Sequence, residues 1–473
     1  MSTLRVPDIL AHGRWWSGDE LDAIAGGWRA AVLDALGDRA RPIAAALPAS
    51  PEAVALFAAL TSLPSPVILL SHEARAWRTE PAIPIGTPLV LLPTLAPLAP
   101  EAEKLGLVPL VLPDATERRV GGGPVVPLDG PGVVLFTSGS TGAPKPVFHT
   151  RTTVLEWVES RIASMGLPPG AGVVMEASPA YGQGLTYLLT AIVLGGALGL
   201  LDPRDHRLAL TALAEPAFGC WRVTPHFADA LSRCVLTGPP IVPAVCILSS
   251  PVSRALFDAF LDRFGVPLRQ AYSSTETGTV ALDNAAPADV QPETVGHPLP
   301  GVEIRIGDHP GGPRPSGELG RVWVRNPWQM AGYGFPPHVE RPGDVDGWWP
   351  TLDLGMLRAD GRLALAGRLD DAIRTRDSRV VNLAYVAASL RGVEGVTDAL
   401  VVPLDSATGR TFGAVIECEP GLTMGALRAK LADTLPPWSW PRTLELVPAL
   451  PRLPNGKPDR RACATLLGGA PGP

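Results

Sequence analysis

Lysine is nearly missing from this chain. Of its 40 basic residues only Lys104, Lys145, Lys430 and Lys457 are lysines, and the rest are arginines. In that background two lysines inside glycine-containing loops, APK at Lys145 and NGK at Lys457, stand out. A compact ammonium does something there that a planar guanidinium does not do equally well. Paired cysteines are also missing: Cys220, Cys234, Cys246, Cys418 and Cys463 are odd in number and form no CxxC. That argues against a disulfide frame or a zinc site and for plain buried thiols in a reducing compartment. The eight histidines show no HxxxH or HxH spacing, so no cage of metal-binding side chains is expected. Nor is there a basic excess; a net charge of −6 gives no footprint for nucleic acid. The start, MSTLRVPDILAHGRWW, lacks a charged segment followed by an apolar core, and a cytoplasmic protein without a signal peptide is expected. The one long uncharged run, Leu185–Leu201, is short for a span and carries three glycines. It reads as a buried helix running into a core strand, with no membrane partner.

What is present is the pattern of a large α/β protein. A length of 473 residues suggests about three packed units. Ala/Leu-rich helices alternate with short apolar runs such as Val67–Leu70 and Leu89–Leu92 over the first 130 residues or so. Later strand candidates are Val242–Leu248 and Leu268–Tyr272, with a helix over Thr153–Ser164. From Glu318 the texture changes: ELGRVWVR and GRLALAG alternate as half-buried antiparallel strands do. Beyond Leu369–Asp371 a smaller α+β set follows, with helices near Ala384–Leu390 and Met424–Leu435 and strands Ala399–Val402 and Phe412–Cys418. It ends in a Pro-rich tail around one short strand. A domain boundary is expected at Leu369–Asp371, which leaves a C-terminal unit of ordinary size.

Four stretches carry chemistry. LFTSGSTGAPKPVFHT, directly behind the apolar run Val133–Phe136, is rich in glycine and hydroxyls. Successive backbone N–H groups in such a turn make an anion-binding concavity, to which Thr137, Ser138, Ser140 and Thr141 add donors around Gly139 and Gly142, and Lys145 adds a charge. It is not GxxxxGK[ST], because proline flanks the lysine on both sides. AYSSTETG sets Tyr272, Thr275 and Glu276 at a strand end, suited to a purine, a phosphate and Mg²⁺. WWPTLDLGMLRADGRLALAGRLDD holds Asp353 and Arg368, which can hold ribose hydroxyls and sugar or phosphate oxygens. LPRLPNGKPDRR presents Lys457 on a Pro/Gly-hinged loop. Taken singly, each has an ordinary reading: a mobile turn, a solvated acid, a turn former, a surface charge.

In this order the four resemble the adenylate-forming superfamily, which joins acyl- and aryl-CoA synthetases, peptide-synthetase adenylation domains and firefly luciferase. The matching stretches are TSGSTGAPK, YSSTE, LDLG…DGRL…GRLDD and LPNGK. The resemblance implies an α/β fold: a large AMP-binding N-terminal domain, 1–369, of α/β subdomains plus a β-barrel-like part, and a small mobile C-terminal α+β domain, 370–473. It implies a ligase that joins a carboxylic acid to the α-phosphate of ATP with Mg²⁺, releases pyrophosphate, and passes the acyl group to CoA or a carrier-protein phosphopantetheine. By the same resemblance Thr137–Lys145 hold the β- and γ-phosphates, Thr275 the α-phosphate, Glu276 the Mg²⁺ and Tyr272 the adenine. Asp353 takes the ribose with Arg368 beside it. Lys457 bridges the substrate carboxylate and α-phosphate, and Asp370 is the hinge.

The chain also departs from that pattern. Ser273 replaces the usual glycine of YGxTE and is expected to narrow the pocket floor. Asp377, in IRTRDSRVV, stands where thioester-forming relatives commonly have glycine beside the pantetheine arm. The segment before TSGSTG is short for the family. SPAYGQGLTY replaces a histidine-bearing PxxHxxG stretch and offers no carboxylate for an α-amino group. Tyr181, Trp221, His226 and Phe227, with Ser249 and Ser250, are candidate walls for a compact, aromatic or short acyl acid. Two alternatives stay open: an adenylating ligase that transfers to an amine or releases the acyl-adenylate, and a non-catalytic nucleotide-binding relative.

Overall fold

The computed structural model describes residues 4–37, 41–73, 77, 83–114, 123–137, 144–202, 204–234, 242–248, 252–341, 345–369, 372–374, 380–391, 393–406, 409–432, 435, 439–452 and 458–468. Among these residues the chain forms sheets of nine, eight, four, three and two strands. The eight-stranded sheet has a parallel centre of Gly132–Phe136, Val67–Ser71, Ile43–Leu47, Pro88–Leu91 and Val108–Val111. Parallel strands are covered on both faces and so read as unbroken apolar runs. Ile43–Leu47 and Val67–Ser71 are indeed buried at every position. Gly132–Phe136 pairs antiparallel with Pro146–Thr150, which makes the glycine-rich segment a connection between two adjacent strands.

In the nine-stranded sheet, Leu198–Leu200, Gly172–Met175, Phe218–Arg222, Val245–Leu248 and Leu268–Ser274 lie side by side and parallel. The chain moves outward from Gly172–Met175 to Leu198–Leu200, then returns to the other flank of Gly172–Met175 as Phe218–Arg222. Helix Gly182–Leu194 packs in the core with Val173, Met175 and Cys220. Helices His206–Leu213, Pro225–Arg233 and Arg254–Phe264 cover the opposite face with Val174 and Trp221. Connections leaving the two switch strands therefore part to opposite faces, and the carboxyl ends of those strands are where open α/β sheets form a ligand crevice. The run Leu185–Leu201 divides between helix Gly182–Leu194 and strand Leu198–Leu200, as its pattern predicts. Among the described residues no helix is long and apolar enough to cross a membrane.

Glu303–Ile306, Gly320–Arg325, Trp349–Leu357 and Leu363–Arg368 form the antiparallel sheet expected from alternation. Further on, Val396–Ser406, Gly409–Cys418 and Thr443–Val447 form a three-stranded sheet. Leu383–Arg391 and Met424–Ala432 pack on one of its faces, and Arg460–Leu466 on the other. The boundary aspartates Asp370 and Asp371, and Asp377, lie outside the described residues.

Two elements depart from expectation. The tail holds helix Arg460–Leu466 as well as a strand, because Asp459 accepts the backbone N–H groups of Arg461 and Ala462 and caps it. Near the start, Ile9–Ala11 and Arg14–Trp16 form a hairpin on the sheet edge, turning at His12 and Gly13 with φ of 50° and 73°. Such a two-residue turn needs left-handed backbone at both positions, which histidine seldom signals. Of the free thiols, Cys220, Cys246 and Cys463 are buried as expected, whereas Cys234 and Cys418 are half-buried.

Candidate functional site

The first lysine loop is closed at its base. Thr137 N donates to the Lys145 carbonyl at 3.0 Å, and Lys145 N donates to Thr137 Oγ1 at 2.9 Å. Ser138, Gly139, Ser140, Thr141 and Gly142 lie between these anchors and outside the described residues. Lys145 is exposed, at the head of strand Pro146–Thr150.

That strand is fastened to the STETG turn. His149 is fully buried, and its Nε2 lies 2.6 Å from the Thr275 carbonyl. Burial drives its imidazole down to about 4, so the ring is neutral at working pH and Nε2–H is the donor. Met330 N donates to the Glu276 carbonyl and Ala331 N to that of Phe148, which ties in the following segment. Gly278 ends the turn at φ +64°, where a Cβ would lie 2.8 Å from the Trp157 indole, so only glycine fits.

These fastenings bring Tyr333 between two expected site residues. Its hydroxyl donates to Glu276 Oε1 at 2.9 Å, and its ring lies 5.1 Å from Lys145 Nζ. Burial, then the Glu276 charge, hold the phenol well above its ordinary range, so it stays a donor. Lys145 and Glu276, far apart in sequence, thus flank one ring. Tyr333 carries no sequence signal that sets it apart; only its pairing opposite Val147 reveals its place. Tyr333→Phe keeps the ring under Lys145 and removes the bond to Glu276. On the ATP-dependent activity that the resemblance implies, it should lower turnover roughly tenfold, as loss of about 1.4 kcal/mol does. Tyr333→Ala should lose more and raise the KM for ATP as well; steady-state kinetics of both variants check this.

On the other side of the turn, Tyr272 is buried, and its hydroxyl donates to Asp353 Oδ2 at 2.5 Å. Burial and the Asp353 charge raise this phenol too. Asp353 faces Arg368 in register across adjacent strands. The pair is therefore joined to strand Leu268–Ser274 through Tyr272, whose ring is buried in the core.

Residues expected around the acid fall less uniformly. Tyr181, 45% exposed, precedes helix Gly182–Leu194, and exposed His226 sits in the first turn of Pro225–Arg233. Both follow the switch strands and stand at the crevice end of the sheet. Gly184 lets the first of these helices sit close to the Ser178 carbonyl, where a Cβ would meet that oxygen at 1.9 Å. Trp221 is placed differently from the expectation: it is fully buried against Phe227 and Phe260, in the core of the opposite face. Phe227 is buried with it. Strand residues alternate between faces, so Arg222, the next residue, is the one that reaches the crevice side, where Nη2 donates to Gln183 Oε1. Ser249 and Ser250 lie outside the described residues.

The crevice also holds a carboxylate just upstream of the stretch in which none was found. Glu176 accepts from Thr224 N at 2.7 Å and Thr224 Oγ1 at 3.1 Å, with Arg222 Nη1 at 3.9 Å. Both oxygens are engaged, so it braces the two switch-strand connections. Burial pushes Glu176 up to about 7, against the pull of Arg222 and Thr224. With a folded value above the unfolded 4.5, its contribution to stability is full below pH 4.5 and is lost as pH rises through 7. Glu176→Gln removes this titration. Relative to that variant, wild type should lose up to about 3 kcal/mol between pH 4.5 and 8, taking about 1.4 kcal/mol per pKa unit. Melting curves at pH 5 and 8 measure it.

The donor set fits a magnesium-bound triphosphate: a lysine over the Tyr333 ring, a carboxylate at its hydroxyl, and Thr137 and Thr275 close to them in the chain. Among the described residues the one hydrogen bond to the Glu276 carboxylate is that of Tyr333 at Oε1, and oxygen is the ligand magnesium takes.

Comparison with known proteins agrees. The family described as AMP-binding enzyme matches residues 6–334. The novobiocin biosynthesis protein H of Streptomyces niveus is 28% identical over 96% of this chain and 79% of its own. The fatty acid–[acyl-carrier-protein] ligase ScoC of Streptomyces coeruleorubidus is 30% identical over 70% of this chain and 67% of its own. Against the fumosorinone synthetase of Cordyceps fumosorosea, 25% identical, the chain spans only 10% of that protein's length. Among solved structures, the amide bond synthetase McbA of Marinactinospora thermotolerans superposes with a TM-score of 0.81 at 25% identity, covering 98% of this chain and 97% of that one. ATP-bound MatB of Rhodopseudomonas palustris, at 22% identity, shares the fold with a TM-score of 0.80 over 99% of this chain and 96% of its own. The chain belongs to the AMP-binding enzyme family and is an adenylate-forming ligase.

Proposed function

We propose that this protein activates a compact carboxylic acid, aromatic or short acyl, as its acyl-adenylate and passes the acyl group to a thiol of CoA or of a carrier protein. The observation that carries this reading is the approach of Lys145 and Glu276 to the two sides of Tyr333. In the first step a carboxylate oxygen of the acid bonds to the α-phosphorus of ATP, and the α–β bridging bond breaks with its electron pair leaving on pyrophosphate. Two anions must meet, so most of the work is positioning and cation placement. Lys145 and the loop from Thr137 would hold the β- and γ-phosphates, and Thr275 the α-phosphate. Asp353 and Arg368 would hold the ribose beside Tyr272. Glu276 would anchor Mg²⁺, which supplies charge neutralisation when bound. Lys457 would bridge the acid and the α-phosphate. Residues 1–369 and 370–473 would act as two domains hinged at Asp370, so that Lys457 enters for adenylation and leaves for transfer. Residues at the crevice, Tyr181, His226 and Arg222, would contact the acid. A cytoplasmic setting suits these roles.

The carrier-protein thiol is supported by the name of ScoC. A second acceptor, an amine, is supported by the likeness to McbA, an amide bond synthetase, and by Asp377 at the usual glycine position. Exchange of labelled pyrophosphate into ATP across a panel of aryl and fatty acids tests the first step. Exchange with no acid of the panel would favour the non-catalytic alternative. Product analysis with CoA, a holo carrier protein and an amine then separates the acceptors.

A further inference from the structure

Two acidic residues stand where a sheet has no ordinary use for them. Asp398 and Glu417 are direct cross-strand neighbours on Val396–Ser406 and Gly409–Cys418. Like charges in that arrangement destabilise a sheet unless a cation lies between them. Here the cation is Arg452. Its Nη2 lies 2.7 Å from Asp398 Oδ2 and 3.4 Å from Glu417 Oε2. Leu450 N also donates to Glu417 Oε2 at 2.9 Å, so the chain is held on both sides of Pro451. Asp398 is further engaged by Arg391 Nε at 2.8 Å, and its Oδ1 accepts the backbone N–H of Ala399. Burial raises the Asp398 carboxyl, and the two arginines outweigh it, leaving it below its usual value.

Arg452 is the last described residue before the segment 453–457, which contains Lys457. The far end of that segment is fixed to the same place. Arg452 and Pro458 form an isolated antiparallel bridge, and Asp459 N donates to the Pro451 carbonyl at 2.8 Å. Asp459 then caps helix Arg460–Leu466, whose Cys463 and Ala464 pack on Leu400, Val402 and Val415 of the sheet. A segment of five residues therefore begins and ends at one bridged point, with a guanidinium seated on two carboxylates on one side and a packed helix on the other.

We infer that Asp398 and Glu417 are the seat of Arg452, and that this seat positions the Lys457 loop for adenylation. The inference rests on the adenylating role proposed for Lys457. It makes Arg452 a positioning residue: it acts through the lysine and has no need to touch nucleotide or acid. Adenylation depends on placing one ammonium between two anions, and a displacement of about 1 Å at such a point can cost on the order of 100-fold.

The test is Arg452→Gln. This variant leaves Arg391 on Asp398 and the Leu450 N–H on Glu417, so each carboxylate keeps a partner and the fold should be retained. Pyrophosphate exchange, with the acid that gives the highest wild-type rate in the panel, should fall roughly 10- to 100-fold in kcat, with the KM for ATP within about twofold. Deuterium uptake should rise in peptides spanning residues 448–462 and stay unchanged in strand Gly409–Cys418, as release of a local anchor requires. The melting temperature should stay within about 3 °C. Arg452→Lys, which keeps the charge and loses the fork, should recover part of the rate. Unchanged exchange in Arg452→Gln, or a loss matched by ATP affinity and melting temperature, overturns the inference. Lys457→Ala is measured in parallel. If that variant exchanges like wild type, the proposed role of the lysine fails and this inference fails with it; if it is inactive while Arg452→Gln is not, only the positioning role fails.

Discussion

Glu276→Gln is expected to lower pyrophosphate exchange by about 10²–10³-fold, the usual effect of removing one group aimed at transition-state charge. The substitution is nearly isosteric. Its amide oxygen can still accept from the Tyr333 hydroxyl, and the backbone carbonyl of residue 276 still accepts from Met330 N. What disappears is the negative charge, and magnesium is held by charged, hard oxygen ligands in preference to neutral ones. The loss should therefore appear chiefly as a raised magnesium requirement, with the melting temperature close to wild type because the site is half-buried and its backbone bonds persist. Calorimetric titration of ATP with and without magnesium supplies a second readout: the enhancement of affinity by the metal should shrink in the variant. A variant that exchanges at the wild-type rate at low magnesium would remove Glu276 from the metal site and leave it as an acceptor for Tyr333 alone.

Much of this site could be read from the chain, for a physical reason. A loop that cradles phosphate must carry glycine, hydroxyls and a cation close together, so TSGSTGAPK is local and legible. The strands that present it, Gly132–Phe136 and Leu268–Ser274, are apolar runs because they are covered on both faces. Residues whose role depends on tertiary closure were not legible. Tyr333 matters because Gly332 and Tyr333 pair with Phe148 and Val147, and His149 because Thr275 folds over it. Nothing in either local sequence announces that. Trp221 shows the opposite error. An aromatic residue near a strand end was read as a pocket wall, yet a shift of one residue along a strand exchanges faces, and it was Arg222 that turned toward the crevice. Glu176 was passed over because buried carboxylates are rare and its partners, Thr224 and Arg222, come from a distant strand. The hairpin at residues 9–16 and the helix Arg460–Leu466 were lost to short length, where periodicity carries little information.

Lys457→Ala should separate binding from chemistry. We expect exchange to fall by about 10²–10³-fold in kcat while the KM for ATP changes by no more than about twofold, the pattern of an interaction made only at the transition state. The reasoning runs through the rest of the site. Lys145, Thr137, Tyr272, Asp353 and Glu276 are carried by the two large sheets and the four-stranded sheet, and in the proposed reading they would hold the nucleotide without the tail. In the chain Lys457 comes between Arg452, which pairs with Asp398 of the three-stranded sheet, and Asp459, which caps helix Arg460–Leu466. In the proposed mechanism an ammonium carried next to a separate sheet would serve the moment when the carboxylate and the α-phosphate must be brought together. Arginine at 457 should not rescue the variant, since a planar fork cannot occupy the position of a compact charge between two oxyanions; that also accounts for a lysine in so arginine-rich a chain. Transfer from a supplied acyl-adenylate to the acceptor should persist in the alanine variant, because in the proposed cycle that step would follow withdrawal of the lysine. Parallel loss of both steps would show that the lysine supports the fold of the tail and does not act on the reacting groups.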